Sequence, residues 1–178
     1  LSSIKFNIST KQSLTINSGY SERNPGINEL YSFGLHQGVS GLEEGTVTLE
    51  NENALKNTLE YRWYPSSNFS INTLLYHQHF NGFINLIPKQ KVNAEGELVN
   101  EIRTTIRGAF PVFKYQQTDV NIYGFDISTQ FSAGNSIFGL IKYSFLRGQD
   151  IKNEIPLIYM PPNSLFGSLK YQITKSKR

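Results

Sequence analysis

The 178-residue sequence has no cysteine, one methionine and one tryptophan, and only 17% of it is charged. Without cysteine there is no disulfide framework and no thiolate for metal or redox chemistry. No window approaches the roughly eighteen consecutive apolar residues that a membrane helix needs, which excludes a helical membrane protein. The opening Leu1-Ser2-Ser3-Ile4-Lys5 lacks the basic and apolar regions of a secretion signal, so export would rely on a leader outside these residues. Dinucleotide-binding GxGxxG, P-loop and HExxH signatures are also missing. The net charge is +3, but the basic residues are scattered apart from a short tail at Lys175, Lys177 and Arg178, and no nucleic-acid partner is expected.

What the chain does have is alternation. Hydrophobic residues make up 38% and aromatics 13%, yet the mean hydropathy is −0.36, because apolar positions are interleaved with Ser, Asn, Gln, Thr and Gly. Ile4, Phe6 and Ile8 alternate with Lys5, Asn7 and Ser9, and after a tight turn at Lys11-Gln12 the pattern returns as Leu14, Ile16, Ser18 and Tyr20. A strand carrying Leu55, Leu59, Tyr61 and Trp63 on one face leads through Pro65-Ser66-Ser67-Asn68 into Phe69, Ile71 and Thr73. That run continues to about Leu86 and changes phase near Leu74-Leu75, where a bulge is expected. Tyr123, Phe125, Ile127, Thr129 and Phe131 form the clearest strand. It turns at Ala133-Gly134-Asn135-Ser136 into Ile137, Gly139, Ile141, Tyr143 and Phe145, and the last strand carries Leu165, Gly167, Leu169, Tyr171 and Ile173. The total is about seven strands.

Short turns alternate with long stretches at about 21–53, 88–106 and 148–163, as in transmembrane barrels with short periplasmic turns and longer extracellular loops. Tyr61, Trp63, Tyr64 and Phe69 flank one short turn, where an aromatic girdle would sit. A soluble antiparallel sheet with one wet face gives the same period. Against that reading, the apolar faces are essentially free of charge, as lipid requires, because Lys or Arg at the bilayer midplane costs about 2–4 kcal/mol. The expected fold is therefore all-β, an antiparallel up-and-down transmembrane barrel segment. Phe125, Ile127, Phe131, Ile141, Tyr143, Leu169 and Tyr171 face lipid, and Asp126, Ser128, Gln130, Lys142, Ser144, Lys170 and Gln172 face the lumen. Such a sheet cannot close alone, since unpaired edges are not tolerated in lipid.

Tyr20 to Leu35, YSERNPGINELYSFGL, resembles the segment that leaves a barrel strand for an extracellular loop in TonB-dependent receptors, with Arg23, Pro25, Asn28, Glu29, Leu30 and Tyr31 at the matching positions. GLHQGVSGLEEGTVTLENENALKNTLEYRW is similar to the loop and strand that follow, and YHQHFNGFINL and FPVFKYQQTDVNIYGFDIS to later strands, with Asp126 where Glu is commoner. SFLRGQD and IPLIYMPPNSLFGSLKY resemble a strand, loop and Pro-Pro-Asn element nearer the family's C-terminus. The resemblance implies a barrel of about 22 strands filled by an N-terminal plug. Residues 1–178 would be part of that barrel, with the plug, its TonB-contacting motif and the closing C-terminal strands lying outside the chain. It also implies a place in the outer membrane of a Gram-negative bacterium, contact with its lipid, coupling to TonB through the plug, and uptake of a small-molecule or metal-chelate cargo such as a siderophore.

Within this reading no nucleophile, base and orienting group come together, so neither an enzyme nor a cofactor is expected. The candidate ligand-binding residues are His36, Glu43, Glu44 and Arg23, all in the first long loop. Arg23, Asn28 and Glu29 equally suit a loop base tied to its strands by charge-assisted hydrogen bonds. His77 and His79 share a strand face but lack further ligands nearby, so no metal site is expected. Gly124 marks a bend or a close contact on the lumen side. A passive pore or barrel adhesin, and a soluble all-β binding module, stand as alternatives that share the strands.

Overall fold

The computed structural model describes residues 1–134 and 136–173; Asn135 of the turn expected at Ala133-Gly134-Asn135-Ser136 and the basic tail at Lys175, Lys177 and Arg178 lie outside the described residues. The strands are β1 (Ser2–Ser9), β2 (Gln12–Arg23), β3 (Phe33–His36), β4 (Gly41–Glu44), β5 (Glu52–Ser66), β6 (Phe69–Pro88), β7 (Gln90–Val92), β8 (Leu98–Asn100), β9 (Ile102–Thr105), β10 (Gly108–Ala133), β11 (Ile137–Asp150), β12 (Ile155–Pro156) and β13 (Ser164–Tyr171). A short helix, α1 (Ile27–Tyr31), and a 3-10 turn (Gln37–Val39) complete the described elements. Hydrogen-bonded neighbours run β1-β2-β5-β6-β10-β11, and β11 then pairs with both β12 and β13. Every strand expected from alternation is present as β1, β2, β5, β6, β10, β11 or β13. The first turn is Thr10-Lys11, one residue earlier than expected, because Gln12 already pairs with Ser9.

The chain forms two compact units: Leu1–Tyr20, Ala54–His79 and Asn121–Arg178 make the first, and Ser21–Asn53 with Phe80–Val120 the second. In the first unit, antiparallel register sets Ile4 opposite Ile16 and Phe6 opposite Leu14, with Lys5 opposite Thr15 on the other face. Across β11 and β13, Gly139 faces Leu169, Ile141 faces Gly167 and Tyr143 faces Leu165, while Lys142 faces Phe166 and Phe138 faces Lys170. Directly opposed residues share a sheet face. Ile141, Tyr143, Leu169 and Tyr171 therefore lie on one face, with Lys142 and Lys170 on the other. Phe125 joins the apolar side, its ring 5.7 Å from that of Tyr143 and 5.4 Å from that of Phe145. On β6 the exposed positions pass from Asn72 to Leu75 and His77, so the alternation slips where the sequence pattern becomes ambiguous.

Two glycines let side chains cross the sheet closely. The Phe131 ring occupies the space a Cβ on Gly139 would need, and Tyr76 lies across Gly124.

The first unit has no apolar core among its described residues. Its buried residues are Gly124, Gly139, Gly148 and Asp150. Leu165, Leu169 and Tyr171 are 75%, 73% and 67% exposed, and Ile4, Phe6, Ile8, Ile127 and Ile141 are exposed as well. The buried hydrophobics Leu42, Ile84, Val112 and Val120 all belong to the second unit. A water-soluble sheet gains its stability by covering one apolar face; here that face is open.

In the second unit the stretches expected as irregular loops are largely folded. β3 and β4 form a hairpin in which Gly34 faces Glu43 and His36 faces Gly41. β4 then runs parallel to β10, with Leu42 beside Val112 and Glu44 beside Lys114. β9 pairs antiparallel with β10, and β7 with β8. Of these, only the β4 and β10 pairing joins segments distant in sequence; the others are local hairpins whose strands of three or four residues are too short for alternation to mark them.

Candidate functional site

Three groups of interacting charged side chains lie in the second unit. Arg23, at the end of β2, holds two carboxylates. Its Nη1 donates to Glu29 Oε1 and Oε2 at 3.1 and 2.8 Å, and its Nη2 donates to Glu52 Oε2 at 3.1 Å. Glu29 also accepts from the Gly26 N–H at 2.7 Å, so it closes the start of α1 while holding Arg23. Glu52 Oε2 accepts in turn from the Ile84 N–H at 2.9 Å. The carboxylates, Glu52 before Glu29, raise the Arg23 pKa. Burial alone would raise the Glu29 carboxyl, but the hydrogen bonds from Arg23 and Gly26 hold it below its ordinary range.

Glu44, on β4, belongs to a closed ring of alternating charge. It meets Lys89 and Arg103 at 2.8 Å each, and Glu101 meets the same pair at 3.3 and 2.7 Å. The backbone beneath is continuous: Glu101 N–H donates to the Lys89 carbonyl at 2.7 Å, and Val112 N–H to the Glu101 carbonyl at 3.0 Å. The Lys89 hydrogen bond, ahead of that from Arg103, holds the Glu44 carboxyl below its ordinary range despite opposing burial. Arg103 chiefly, then Lys89, lowers that of Glu101.

Glu43 points away from that ring, since neighbours on a strand face opposite sides. Its Oε1 lies 2.8 Å from His36 Nδ1; the Glu43 side chain is 8% exposed and that of His36 is 61% exposed. The structure thus brings His36 to Glu43 but places Arg23 and Glu44 in separate groups with carboxylate or cationic partners of their own. Glu52, Lys89, Glu101 and Arg103 carry these groups and have no local sequence signature. Asn28 lies in α1. His77 is exposed on β6, while His79 Nδ1 lies 2.9 Å from Asn121 Oδ1. Among the described residues no three His, Cys, Asp or Glu side chains come together as a metal site.

In the first unit a cleft of about 710 Å³ lies beside the turns at residues 67–68 and 10–11. Lys11, Tyr64, Ser70, Gln130, Phe138 and Lys170 are among its walls, and no carboxylate lines it among the described residues.

The sequence model described as TonB dependent receptor-like, beta-barrel, matches residues 3–175. No curated protein matches the chain. Among solved structures, the copper transporter OprC superposes with a TM-score of 0.71 at 14% identity, covering 96% of this chain and 23% of that one. The siderophore receptor PirA from Acinetobacter baumannii gives 0.64 at 14% identity, covering 97% and 26%. The FrpB iron transporter from Neisseria meningitidis gives 0.58 at 10% identity, covering 98% and 24%. The chain thus spans about a quarter of the length of each, and at these identities the likeness is one of fold.

Proposed function

The chain belongs to the TonB-dependent receptor β-barrel family, and on that premise we propose that it forms part of the barrel wall of an outer-membrane receptor in a Gram-negative bacterium. The receptor imports a chelated metal or another nutrient too large for passive pores. Coupling to TonB runs through a plug outside these residues, and further strands complete the wall. The observation that carries this reading is the open apolar face of the first unit, which has no buried hydrophobic side chain behind it. Lipid supplies the cover that a core would supply in water. The superposed structures are named for copper, siderophore and iron, which supports a metal or metal chelate as cargo.

His36, backed by Glu43, is the cargo contact in this proposal, because its imidazole is largely exposed and meets Glu43 through Nδ1 alone, while Arg23 and Glu44 are each held between two charged partners. Arg23 and Glu44 position the loop that presents it. The test is uptake by the complete receptor in cells with and without TonB. Accumulation of a labelled metal chelate that needs both proteins is the expected result, and uptake that proceeds equally without TonB points to a passive pore.

A further inference from the structure

Arg147, near the end of β11, is placed unlike the other arginines whose partners are described. Arg23, Arg62 and Arg103 each meet a carboxylate, whereas Arg147 has no carboxylate partner among the described residues. Its guanidinium is nonetheless held. Its carbon lies 4.5 Å from the centre of the Phe145 ring, and Nη1 donates to the Leu146 carbonyl at 2.7 Å and to Asn163 Oδ1 at 2.8 Å. Asn163 Nδ2 donates onward to the Tyr143 hydroxyl at 3.2 Å. Asp150, close in sequence, is buried and accepts from the Asn153 backbone N–H and side-chain amide at 2.9 and 2.8 Å.

Both Nη1 hydrogens are therefore engaged by neutral acceptors, and the edge formed by Nε and Nη2 has no acceptor among the described residues. That edge is the fork which matches two oxygens of one phosphate, a geometry that lysine lacks. The face is equally defined. Phe145 stacks on Phe125 with ring centres 5.4 Å apart, and β11 alternation puts Arg147 on the side of Tyr143 and Ile141. This is the apolar side, so the fork cannot belong to a cargo path through the lumen. From these observations we infer that Arg147 is a docking site for an anionic, phosphate-bearing lipid headgroup at the outer rim of the apolar face. Phe145 and Phe125 lie beneath the acyl end, and Asn163 holds the guanidinium in place.

The site rests on the membrane reading, and its test keeps the two separable. The complete receptor is placed in nanodiscs of phosphatidylcholine with or without phosphatidylglycerol, and the lipids retained on ejection are counted by native mass spectrometry. The wild type is expected to retain phosphatidylglycerol preferentially, and Arg147→Gln to lower that preference about fivefold, the effect of one basic residue near an anionic surface. Arg147→Lys keeps the charge and loses the fork, so partial loss is expected, and it decides the matter if the Gln variant fails to insert. Unchanged preference in whichever variant inserts overturns the site. Displacement of the lipid by millimolar inorganic phosphate makes the ligand a free anion and overturns the lipid assignment. If a spin label at Leu169 reports water instead of lipid, the membrane reading itself fails, independently of what Arg147 does.

Discussion

Tyr76 donates its phenolic hydroxyl to the backbone carbonyl of Phe145 at 3.3 Å, reaching from β6 over Gly124 of β10 to β11. One side chain thereby spans three neighbouring strands and pins their register, because a slip of one residue would turn Tyr76 to the opposite face. The close contact expected at Gly124 from sequence is this crossing.

A methyl group at position 124 would collide with both the Phe145 carbonyl oxygen and the Tyr76 ring. Gly124→Ala is expected to destabilise the folded sheet by about 1–3 kcal/mol, the usual cost of overpacking. Tyr76→Phe, which removes only the hydroxyl, should cost less, about 1 kcal/mol. Urea midpoints of the receptor refolded in detergent measure both, and equal midpoints for wild type and Gly124→Ala would show that the close approach of β11 and Tyr76 to Gly124 contributes nothing to stability.

Spin labels at Phe125, Ile127, Phe131, Ile141, Tyr143, Leu169 and Tyr171 are expected to be accessible to oxygen dissolved in lipid. Labels at Ser128, Gln130, Lys142, Ser144 and Lys170 should be accessible to a water-soluble nickel chelate instead. Alternation within β11 and β13, fixed by their register, demands opposite results at adjacent positions. A flat profile along Tyr143, Lys142 and Ile141 would contradict it.

Replacing Arg23 by Met leaves Glu29 and Glu52 without their shared cation. Both carboxylates are mostly buried while Arg23 is about half exposed, so after solvent screening the global cost is expected to be about 1 kcal/mol. The local effect should be larger. Amide exchange should accelerate across α1 and at Ile84, whose N–H bonds to Glu52, while β11 and β13 stay protected. Uniform exchange changes over the whole chain would refute the local role.

The ring of Glu44, Lys89, Glu101 and Arg103 has a defined pH signature. Glu44 and Glu101 are lowered below the ordinary carboxylate range, so their stabilisation is present above that range and fades as pH falls through their folded values. Lys89 is raised by Glu44, so its share is present below the ordinary lysine range and is lost only as pH climbs past it. Protection of the Glu101 and Val112 amides, corrected for intrinsic exchange, should be flat near neutrality and drop in acid. Glu44→Gln should remove most of the drop; an unchanged acid profile in that variant would assign it elsewhere.

His36→Ala is expected to weaken cargo binding about tenfold, the scale of one lost directed contact, without altering surface abundance or the β3 and β4 hairpin. Binding titrations with a labelled metal chelate on intact cells report the first quantity and surface labelling the second. Undiminished binding would remove His36 from the capture role.

The wall strands were legible because alternation is local: Ile4, Phe6 and Ile8 announce β1 without reference to any neighbour. β10 was legible only in part. It begins at Gly108, well before Tyr123: Gly108–Pro111 pair with β9 and Val112–Lys114 with β4, and Lys114-Tyr115-Gln116-Gln117-Thr118-Asp119 has no apolar face by which the sequence could announce it. The candidate site follows the same division. Arg23 and Glu29 lie six residues apart and were readable as a tie at the loop base. Glu52, Lys89, Glu101 and Arg103 meet across long stretches of chain, and nothing in their immediate sequence sets them apart from solvated surface charge.

β10 has 26 residues, where about ten suffice to cross a bilayer. Its contour length is roughly 85 Å at the usual rise per residue. A ladder of many hydrogen bonds resists shear, because sliding a strand along it requires many of them to break together. The β4 pairing with β10 covers only Leu42 to Glu44 against Val112 to Lys114, and short attachments peel one bond at a time. Under mechanical load, the β4 contact with β10 is therefore expected to open before the long ladders of the wall strands slide, and opening it would carry His36 and Glu43 away from Val112.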